Sequence, residues 1–460
     1  MPNSVIITKG ARDWQIFQQI GGCSTIRIEG IRNTKKNSGS KVLARIVDET
    51  TQMFVTDWII ADVHEDGSFT AVIKNVPAGG LYRIETTLSP AADEDMPSNT
   101  RGDFVFHIGV GDLYVITGQS NAAGYGRTPI EDPSDPLVHL YKNSARWDMA
   151  VHPMNDSTGS IHEANAEYAN SGHSPFLSFA KKMRKYLNYP IGLIQTSLGG
   201  SGLDAWNPAL NGVLYNNMVN IVNDCTEAAG KVAGILWYQG CSDCSCALAA
   251  TYHERFKCFV DTLRKDFHDS DLPVYTVQLN KYFGEDNEEL HRSWSIIREI
   301  QRKAARTIHN VYVIPTMDLS LSDPIHNNSS SNIAIGERLA NIALNETFNL
   351  KVCGKAPDIE SAMIIGKSSI RLMFANVYQG LYALGVPVSD QQFVVTDDDG
   401  EIMINGYTER GSMIDLYLSR ETGSNVKVSF AARFDPSPVV PFDTGSGLPL
   451  LGFYEFPAVE

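Results

Sequence analysis

The chain has 460 residues, of which 43% are hydrophobic, and its 38 Lys and Arg against 53 Asp and Glu give a net charge of −15. A chain of this length is expected to form two or three domains with ample buried core. The acidic balance argues against nucleic acid or an anionic membrane surface as a partner, because both repel a negatively charged protein.

Targeting signals and cysteines give a second set of expectations. No apolar run approaches the length of a membrane span, and residues 1–30 lack the charged, apolar and small-residue sections of a signal peptide. We therefore expect a cytoplasmic protein, or an extracellular or periplasmic one if a leader has been removed. The seven cysteines, an odd number, favour reduced thiols over a complete disulfide framework.

The first part of the chain, residues 1–110, is predicted to form a small antiparallel β-sandwich. Short runs of alternating or β-branched residues recur through it, and turn-rich segments separate them. Residues 88–102 are rich in Pro, Asp, Ser and Gly and are predicted to form a loop. The predicted strands are residues 25–29, 42–47, 69–73, 81–86 and 104–108.

The middle part, residues 111–350, alternates apolar strands with amphipathic helical stretches. This alternation predicts an α/β domain with a parallel sheet in a three-layer α/β/α arrangement. In such sheets the active groups gather at the carboxyl ends of the strands. The predicted strands are residues 113–116, 191–196, 232–238, 274–279 and 311–315, and the clearest helices are residues 175–187 and 333–348.

The strand at residues 113–116 is followed at once by Thr117, Gly118, Gln119, Ser120 and Asn121. Gly118 permits a sharp turn, and Ser120 then lies where the next helix would begin. Free backbone N–H groups and the helix dipole favour a developing negative charge at that position. Ser120 is therefore a candidate nucleophile, although a strand followed by a polar turn also occurs without a catalytic role.

Two further strand ends carry groups that an acyl-transfer site needs. After the second strand, Gly199 and Gly200 allow a backbone N–H to approach a ligand closely, and Trp206 is a candidate apolar wall. The third strand ends at Gln239, whose side-chain amide is placed to donate to an oxyanion. Read singly, the glycines indicate a flexible loop and Gln239 indicates a structural hydrogen bond.

The last strand leads to Asp323 and His326, which lie three residues apart before the final helix. At this spacing the carboxylate can hold one tautomer of the imidazole while the other ring nitrogen faces Ser120. Asp-Pro-Ile-His alone is equally compatible with a turn and a helix cap. A nucleophile, N–H donors, an amide donor and an Asp–His pair at four strand ends together predict a Ser-His-Asp acyl-transfer site.

These motifs resemble those of a known family, the sialate O-acetylesterases of the SGNH-hydrolase superfamily. In that family Gly-Gln-Ser-Asn carries the nucleophile and Asp-x-x-His carries the rest of the triad. The helical segment 298–301 and the β-rich flanks also look like parts of the family's three-part layout. The matching motifs are residues 118–121, 199–201 with Trp206, 237–240 and 323–326.

The resemblance implies a fold and a catalytic role for three residues. The fold would be a flavodoxin-like SGNH domain over residues 111–350, with β-rich domains over 1–110 and 351–460. Ser120 would attack an acetyl carbonyl, His326 would take its proton as general base, and Asp323 would orient His326.

The resemblance also implies an oxyanion hole. It would consist of the N–H groups of Ser120 and of Gly200 (or Gly199), completed by the Gln239 side chain. Under that assignment, Gln239→Ala would lose roughly 10²–10³ in turnover. The candidates for substrate binding are Gln119, Asn121, Arg127 and Trp206; Arg127 could meet a substrate carboxylate or could be an ordinary exposed arginine.

The implied activity is removal of O-acetyl groups from sialic acid or another acetylated sugar. An acetyl-enzyme would form and be hydrolysed by water, with no cofactor and no metal. The partner would be the acetylated sugar, with no nucleic acid and no membrane. Two alternatives stay open, a general short-chain carboxylesterase of the same fold and a catalytically weak glycan-binding relative.

The sequence departs from the family at Cys241, where relatives commonly carry a glutamate. Because Asp323 remains, we expect the triad to survive this change. Cys241, Cys244, Cys246 and Cys258 lack the spacing of a structural zinc site, so reduced thiols or a local disulfide are the expected state.

The last part, residues 351–460, returns to a strand pattern and predicts a second small β domain. Its predicted strands are residues 369–374, 392–396, 413–418 and 426–430. The acidic run Asp397-Asp-Asp-Gly400 predicts a hairpin turn; as a calcium loop it lacks the remaining ligands.

Overall fold

The computed structural model describes residues 4–33, 40–89, 100–167, 171–226, 230–383 and 392–460. The loop predicted at 88–102 falls mostly on residues 90–99, which lie outside the described residues, and its two ends belong to strands. The strands of the first part are β1 (Val5–Lys9), β2 (Ile16–Gln18), β3 (Cys23–Arg32), β4 (Lys41–Asp48), β5 (Ile59–Ile60), β6 (Asp62–Val63), β7 (Ser68–Pro77), β8 (Gly79–Ser89) and β9 (Thr100–Gly118).

Two sheets enclose the core of this first part. Strands β1, β3, β7 and β6 form one sheet, and β4, β5 and β8 belong to another. Buried side chains that include Ile28, Phe69, Ile46 and Ile84 lie between them. The alternating sequence pattern produces this core because each strand turns every second side chain toward the other sheet.

Strand β9 connects the first part to the middle part. Its residues 100–110 pair with β8, and the following residues continue in the same strand to Gly118. The strands predicted at 104–108 and 113–116 are therefore one continuous strand of 19 residues. As a result, one 11-stranded mixed sheet extends from the first part into the middle part.

The sheet of the middle part reverses its winding at β9. Its further strands are β10 (Val138–Tyr141), β11 (Trp147–Met149), β12 (Ile191–Gln195), β13 (Gly234–Tyr238), β14 (Val274–Val277) and β15 (Val311–Ile314). The order is β11-β10-β12-β9-β13-β14-β15, and the pairings are parallel except that of β10 with β11. Because β12 and β13 flank β9 on opposite sides, a crevice is expected beyond the carboxyl end of β9.

Helices cover both faces of this sheet. They are α1 (Ser120–Ala123), α2 (Phe176–Leu187), α3 (Leu203–Trp206), α4 (Val213–Cys225), α5 (Cys246–Ala250), α6 (Tyr252–Asp266), α7 (Glu288–Thr307) and α8 (Ser329–Glu346), with 3₁₀ turns at Glu163–Asn165 and Cys241–Asp243. Leu113 and Val115 of β9 pack in one core with α4, α6 and α7, whereas Tyr114 and Ile116 pack in another with α2 and α8. The wholly apolar strand predicted this burial on both sides.

Helix α8 begins four residues earlier than its apolar pattern predicted. Asn328 precedes it, and its Oδ1 accepts the backbone N–H of Ser331 at 2.8 Å. This N-cap satisfies an otherwise unpaired donor and lets the polar residues Ser329 to Ser331 form the first turn. The early start also brings the helix close to the Asp323–His326 segment.

The last part consists of strands that pack on the α/β part. They are β16 (Asp358–Ile364), β17 (Ser369–Ala375), β18 (Leu381–Tyr382), β19 (Phe393–Asp397), β20 (Gly400–Ile402), β21 (Ile404–Arg410), β22 (Met413–Leu418), β23 (Lys427–Phe430), β24 (Phe442–Asp443) and β25 (Phe453–Pro457). Arg298 of α7 is buried and donates to the carbonyls of Leu279, Asn280, Ala431 and Arg433, so it joins the two parts.

The predicted hairpin turn at residues 397–400 is confirmed. Asp397 pairs with Gly400 across the antiparallel strands β19 and β20. The Asp397 carboxylate accepts two hydrogen bonds from Arg420, at 2.6 and 2.7 Å. This ion pair already neutralises the carboxylate that a calcium loop would need.

The predicted α/β class is confirmed at the level of a large mixed sheet with additional β-rich regions. The division into domains at residues 110 and 350 stays a prediction, and β9 runs across the first of these positions. Among the helices that the structure describes, none is both long and apolar enough to cross a membrane.

Candidate active site

Ser120 is the first residue of α1, directly beyond the carboxyl end of β9. The turn before it requires glycine, because Gly118 has φ +119° and a Cβ there would lie 2.3 Å from the Tyr238 carbonyl oxygen. The Thr117 hydroxyl fixes the strand end by donating to the Leu236 carbonyl at 3.0 Å. The Ser120 side chain is thereby held at the bottom of a cleft, with 7% of the residue exposed.

Asp323 and His326 lie on the segment between β15 and α8, opposite Ser120. Nε2 of His326 is 2.9 Å from Ser120 Oγ, and Nδ1 is 2.7 Å from Asp323 Oδ2. With the proton assigned to Nδ1, Nε2 is free to accept the serine proton. The structure therefore brings the three predicted residues into one hydrogen-bonded chain.

The Asp323 carboxylate is held in its charged form. Burial alone would raise the pKa of Asp323, but hydrogen bonds from the Ile325 N–H, the His326 ring and the His326 N–H outweigh it and lower that pKa below its ordinary value. A charged carboxylate fixes the histidine tautomer and stabilises an imidazolium. Asp323 thus has the ionisation state that the predicted role requires.

Tyr125 forms a wall of the same cleft. Its ring stacks on His326, with centroids 4.9 Å apart, and its hydroxyl donates to Glu167 Oε2 at 2.5 Å. Burial and this carboxylate raise the pKa of Tyr125 well above its usual range, so the hydroxyl stays protonated and remains a donor. The stacked ring limits the rotation of His326.

The Gly199–Gly200 turn forms another wall. Gly200 has φ +67°, and a Cβ on it would meet only open space, so this residue faces the cleft. The Gly199 N–H already donates to Glu167 Oε1. The sequence left open whether Gly199 or Gly200 donates its N–H to the oxyanion. Of the two, Gly200 is the one whose N–H does not bind Glu167.

Gln239 does not line the cleft. It is completely buried, and its Nε2 donates to Asp243 Oδ2 at 2.6 Å and to the Ser201 carbonyl at 3.2 Å. Its Oε1 accepts the Tyr252 hydroxyl at 3.0 Å. Both amide hydrogens are therefore engaged in holding neighbouring loops, and donation of this side chain to an oxyanion stays a prediction that requires one of these bonds to break.

Trp206 and Asn121 are also placed behind the cleft rather than in it. Trp206 is fully buried, and its Nε1 donates to Ser201 Oγ at 3.0 Å. Asn121 donates to the Ile325 carbonyl at 3.2 Å and accepts the Asn327 N–H at 3.1 Å. These contacts hold the Ser201 segment and the segment that carries His326 in place, and direct substrate contact by Trp206 and Asn121 stays a prediction.

Gln119 lines the cleft, whereas Arg127 lines a separate depression. Gln119 Oε1 accepts the N–H groups of Gly240 and Ser242, at 3.0 and 3.3 Å. Arg127 is exposed, and its guanidinium carbon lies 5.8 Å from the centroid of the Tyr125 ring. Substrate contact by Gln119 stays a prediction, while Arg127 is outside the lining.

Cys241 lines the cleft, but it supplies neither a charge nor a thiolate. Burial raises the pKa of Cys241 to about 12, so the thiol is protonated at neutral pH. All seven cysteines are unpaired, including Cys244, Cys246 and Cys258. The free thiols agree with the expected reduced state.

A group of side chains of the kinds that bind metals lies in the depression next to the cleft. Among the described residues, Asp132, His152 and His173 are the group whose ligand atoms lie within 4.8 Å of one another. Lys181 Nζ already pairs with Asp132, and Nδ1 of His152 accepts the Ser174 N–H at 3.4 Å. His152 Nε2 therefore carries the proton and lacks the lone pair that a metal needs.

Three residues of the site were not found from the sequence. Glu167 and Tyr125 line the cleft, and Asp243, with 1% exposed, accepts from Gln239, Arg255 and the Leu203 N–H. None of them lies within the motifs that the sequence analysis identified. Asp243 is the nearest to one, because it comes four residues after Gln239 at the end of the third strand.

Comparison with known proteins assigns the chain to a family. A family profile described as "Carbohydrate esterase, sialic acid-specific acetylesterase" matches residues 110–345, half of the chain. The chain belongs to this family. Membership makes the protein a hydrolase of carboxylic esters and supports O-acetylesterase activity. The predicted resemblance is thereby confirmed.

Two relatives extend the comparison. A probable carbohydrate esterase of Arabidopsis thaliana is 24% identical over 256 residues, which cover 51% of this chain and 90% of that protein. The crystal structure of a carbohydrate acetylesterase from Xanthomonas citri aligns with a TM-score of 0.68 and 19% identity, covering 98% of this chain and 99% of that chain. This structural likeness shows a shared fold along nearly the whole chain.

Proposed function

We propose that this carbohydrate esterase removes O-acetyl groups from a sugar through a Ser-His-Asp acyl-enzyme mechanism. The observation that carries the proposal is the hydrogen-bonded chain of Ser120, His326 and Asp323, with links of 2.9 and 2.7 Å. Ser120 and His326 line a cleft of about 560 Å³, a volume within the size range of small-molecule sites. Sialic acid and other acetylated sugars are the substrates that the family description suggests.

The first half of the reaction transfers the acetyl group to the enzyme. Ser120 Oγ attacks the acetyl carbonyl carbon while His326 Nε2 takes its proton. The bond between that carbon and the sugar oxygen then breaks, and the imidazolium returns the proton to the sugar oxygen. Asp323 stabilises the imidazolium throughout.

The second half releases acetate. Water attacks the acetyl-Ser120 ester with His326 again as base, and collapse of the intermediate restores the serine hydroxyl. Both tetrahedral intermediates carry an oxyanion, for which the N–H groups of Ser120 and Gly200 are the proposed donors. Support for Gly200 comes from its position facing open space in the cleft, next to a Gly199 N–H that is already engaged.

We also propose that residues 111–350 form an SGNH catalytic domain with three α/β/α layers. The parallel strands around β9 and the two cores on opposite faces of that strand support this arrangement. Residues 1–110 and 351–460 are proposed as flanking β-rich domains, each with a hydrophobic cluster of its own.

Acetate release from a panel of O-acetylated sugars and from p-nitrophenyl acetate tests the function. We expect sugar acetates to be cleaved and Ser120→Ala to lose on the order of 10⁶ in turnover. Ser242→Ala is the matched control, since Ser242 lines the same cleft without contacting His326. Cleavage of p-nitrophenyl acetate alone would favour a general carboxylesterase, and sugar binding without acetate release would favour a glycan-binding relative.

A further inference from the structure

Glu167 carries the negative charge in the wall of the cleft. It follows the 3₁₀ turn Glu163–Asn165 and is partly buried. Its Oε1 accepts the Gly199 N–H and its Oε2 accepts the Tyr125 hydroxyl. The carboxylate is therefore fixed beside the Gly199–Gly200 turn and the Tyr125 ring that stacks on His326, instead of extending into solvent.

No cation compensates this charge within the described lining of the cleft. The lining residues are Gln119, Ser120, Tyr125, Ala166, Glu167, Leu198, Gly199, Gly200, Cys241, Ser242, Ile325 and His326, which include neither lysine nor arginine. Asp323 adds a second negative charge directly behind His326. A sugar seated with its acetyl group at Ser120 thus meets an anionic wall.

Arg127 is an arginine close to the cleft wall, with its guanidinium carbon 5.8 Å from the Tyr125 ring centroid, and it has to be considered as a counter-charge. It is exposed and lies across Tyr125, where it lines the depression that holds Asp132, His152 and His173. Solvent screens an exposed charge strongly, while a partly buried carboxylate held by two donors is screened less. Glu167 therefore dominates the field that a bound sugar experiences.

We propose that Glu167 is the specificity-determining residue of this cleft and selects neutral acetylated sugars by excluding sugars that carry a carboxylate. The inference rests on the proposed esterase function and names the substrate class for the same site. A sugar carboxylate near Glu167 would be repelled, and the described residues that line the cleft include no arginine to pair with it. A neutral sugar can instead donate its hydroxyl hydrogens to the Glu167 oxygens.

The test uses two substrates that differ in one charge. Methyl glucoside and methyl glucuronoside, each carrying a single acetyl group at the same ring oxygen, are compared by kcat/KM for acetate release. We expect the wild-type enzyme to favour the neutral sugar by roughly 10-fold or more at low ionic strength. An O-acetylated sialic acid measured beside them should behave like the glucuronoside.

Glu167→Gln removes the charge with little change of shape. We expect the ratio of the two kcat/KM values to move at least about 5-fold toward the anionic sugar. Glu163→Gln is the matched control, because it removes the same charge from an exposed side chain outside the cleft lining. The control should leave the ratio within about 2-fold of wild type.

Several results would overturn the inference while leaving the esterase intact. Equal losses on both sugars in Glu167→Gln would reduce Glu167 to a positioning residue for Gly199. A wild-type preference for the anionic sugar that disappears in Arg127→Gln would assign selection to Arg127 instead. Ser120-dependent cleavage of p-nitrophenyl acetate with neither sugar cleaved would exclude the proposed substrate class. No Ser120-dependent release from any ester would instead refute the proposed function itself.

Discussion

Two groups of histidine and carboxylate lie in neighbouring depressions of this protein, and they differ in what the histidines and the carboxylate contact besides each other. In the cleft, Asp323 engages one nitrogen of His326, and the other nitrogen faces the Ser120 hydroxyl. In the adjacent depression, His152 and His173 both point Nε2 at Asp132, whose second oxygen is paired with Lys181. A carboxylate–histidine pair becomes a catalytic base when the remaining nitrogen faces a nucleophile. In the second group the Asp132 carboxylate instead holds two histidines and a lysine together.

The largest expected effect comes from changing the carboxylate of the first group. Asp323→Asn should lower kcat by about 10⁴-fold, because an amide at this position favours the tautomer with the proton on Nε2. Thermal unfolding should change little, since Asp323 and His326 are both partly exposed. Steady-state acetate release together with calorimetry measures the two quantities. Near wild-type turnover would remove Asp323 from the proposed mechanism.

The same change in the second group should act on stability. Asp132→Asn removes the charge that pairs with Lys181 and weakens the hydrogen bonds from His152 and His173, at an expected cost of about 2–4 kcal/mol in the free energy of unfolding. Turnover should stay within about 3-fold of wild type, because the group lies outside the cleft lining. Urea unfolding and acetate release, run on both Asp→Asn variants, complete the comparison. A large loss of turnover in Asp132→Asn would join the two depressions into one functional unit.

Acid should reveal the difference without any mutation. Burial would raise the pKa of Asp132, but hydrogen bonds from His152, His173 and Lys181 outweigh it and hold that pKa far below its ordinary value. Because the folded-state pKa lies below the unfolded value of about 4, this carboxylate stabilises the protein above that pH. The contribution is lost progressively as the pH falls below about 4. Urea midpoints should therefore decline more steeply there in wild type than in Asp132→Asn.

Gln239 has a side-chain amide whose nitrogen and oxygen are both paired within the protein, and this sharpens the expectation drawn from the sequence. With both amide hydrogens engaged, Gln239→Ala should cost about 1–3 kcal/mol of stability through unsatisfied partners such as Asp243. The loss of turnover should be below about 10-fold, instead of the ~10²–10³ of an oxyanion donor. Acetate-release kinetics at a temperature well below unfolding separates the loss of turnover from the loss of stability. A loss near 10³ in a stable variant would restore Gln239 to the oxyanion hole.

The smallest effect is expected at Cys241, which lines the cleft as a neutral thiol. Its pKa of about 12 predicts slow alkylation by iodoacetamide at about pH 8, compared with the exposed Cys246. Cys241→Ser should change kcat/KM by less than about 3-fold. Mass spectrometry of the alkylated protein follows both thiols in one experiment. Rapid, inactivating modification of Cys241 would contradict this description.

Much of the geometry of the candidate site could be predicted because it depends on local pattern. An apolar strand followed by a glycine turn delivers Ser120, and parallel strands bring their carboxyl ends to one edge, where Asp323 and His326 also arrive. The same pattern places Gln239, Asn121 and Trp206 near the ends of these strands. Whether such side chains face the cleft or the loops behind it depends on partners such as Asp243 and Asn327, which are distant in sequence.

The sequence by itself determined the α/β alternation, the glycine turn before Ser120 and the three residues of the hydrogen-bonded chain. These follow from periodicity and from spacing within short segments, which local sterics and burial control. Only the tertiary structure decided which amides were already paired, that one strand joins two parts of the chain, and that Glu167 stands in the cleft wall. Those features are contacts between remote segments, and their energies depend on burial and on long-range partners that no local pattern encodes.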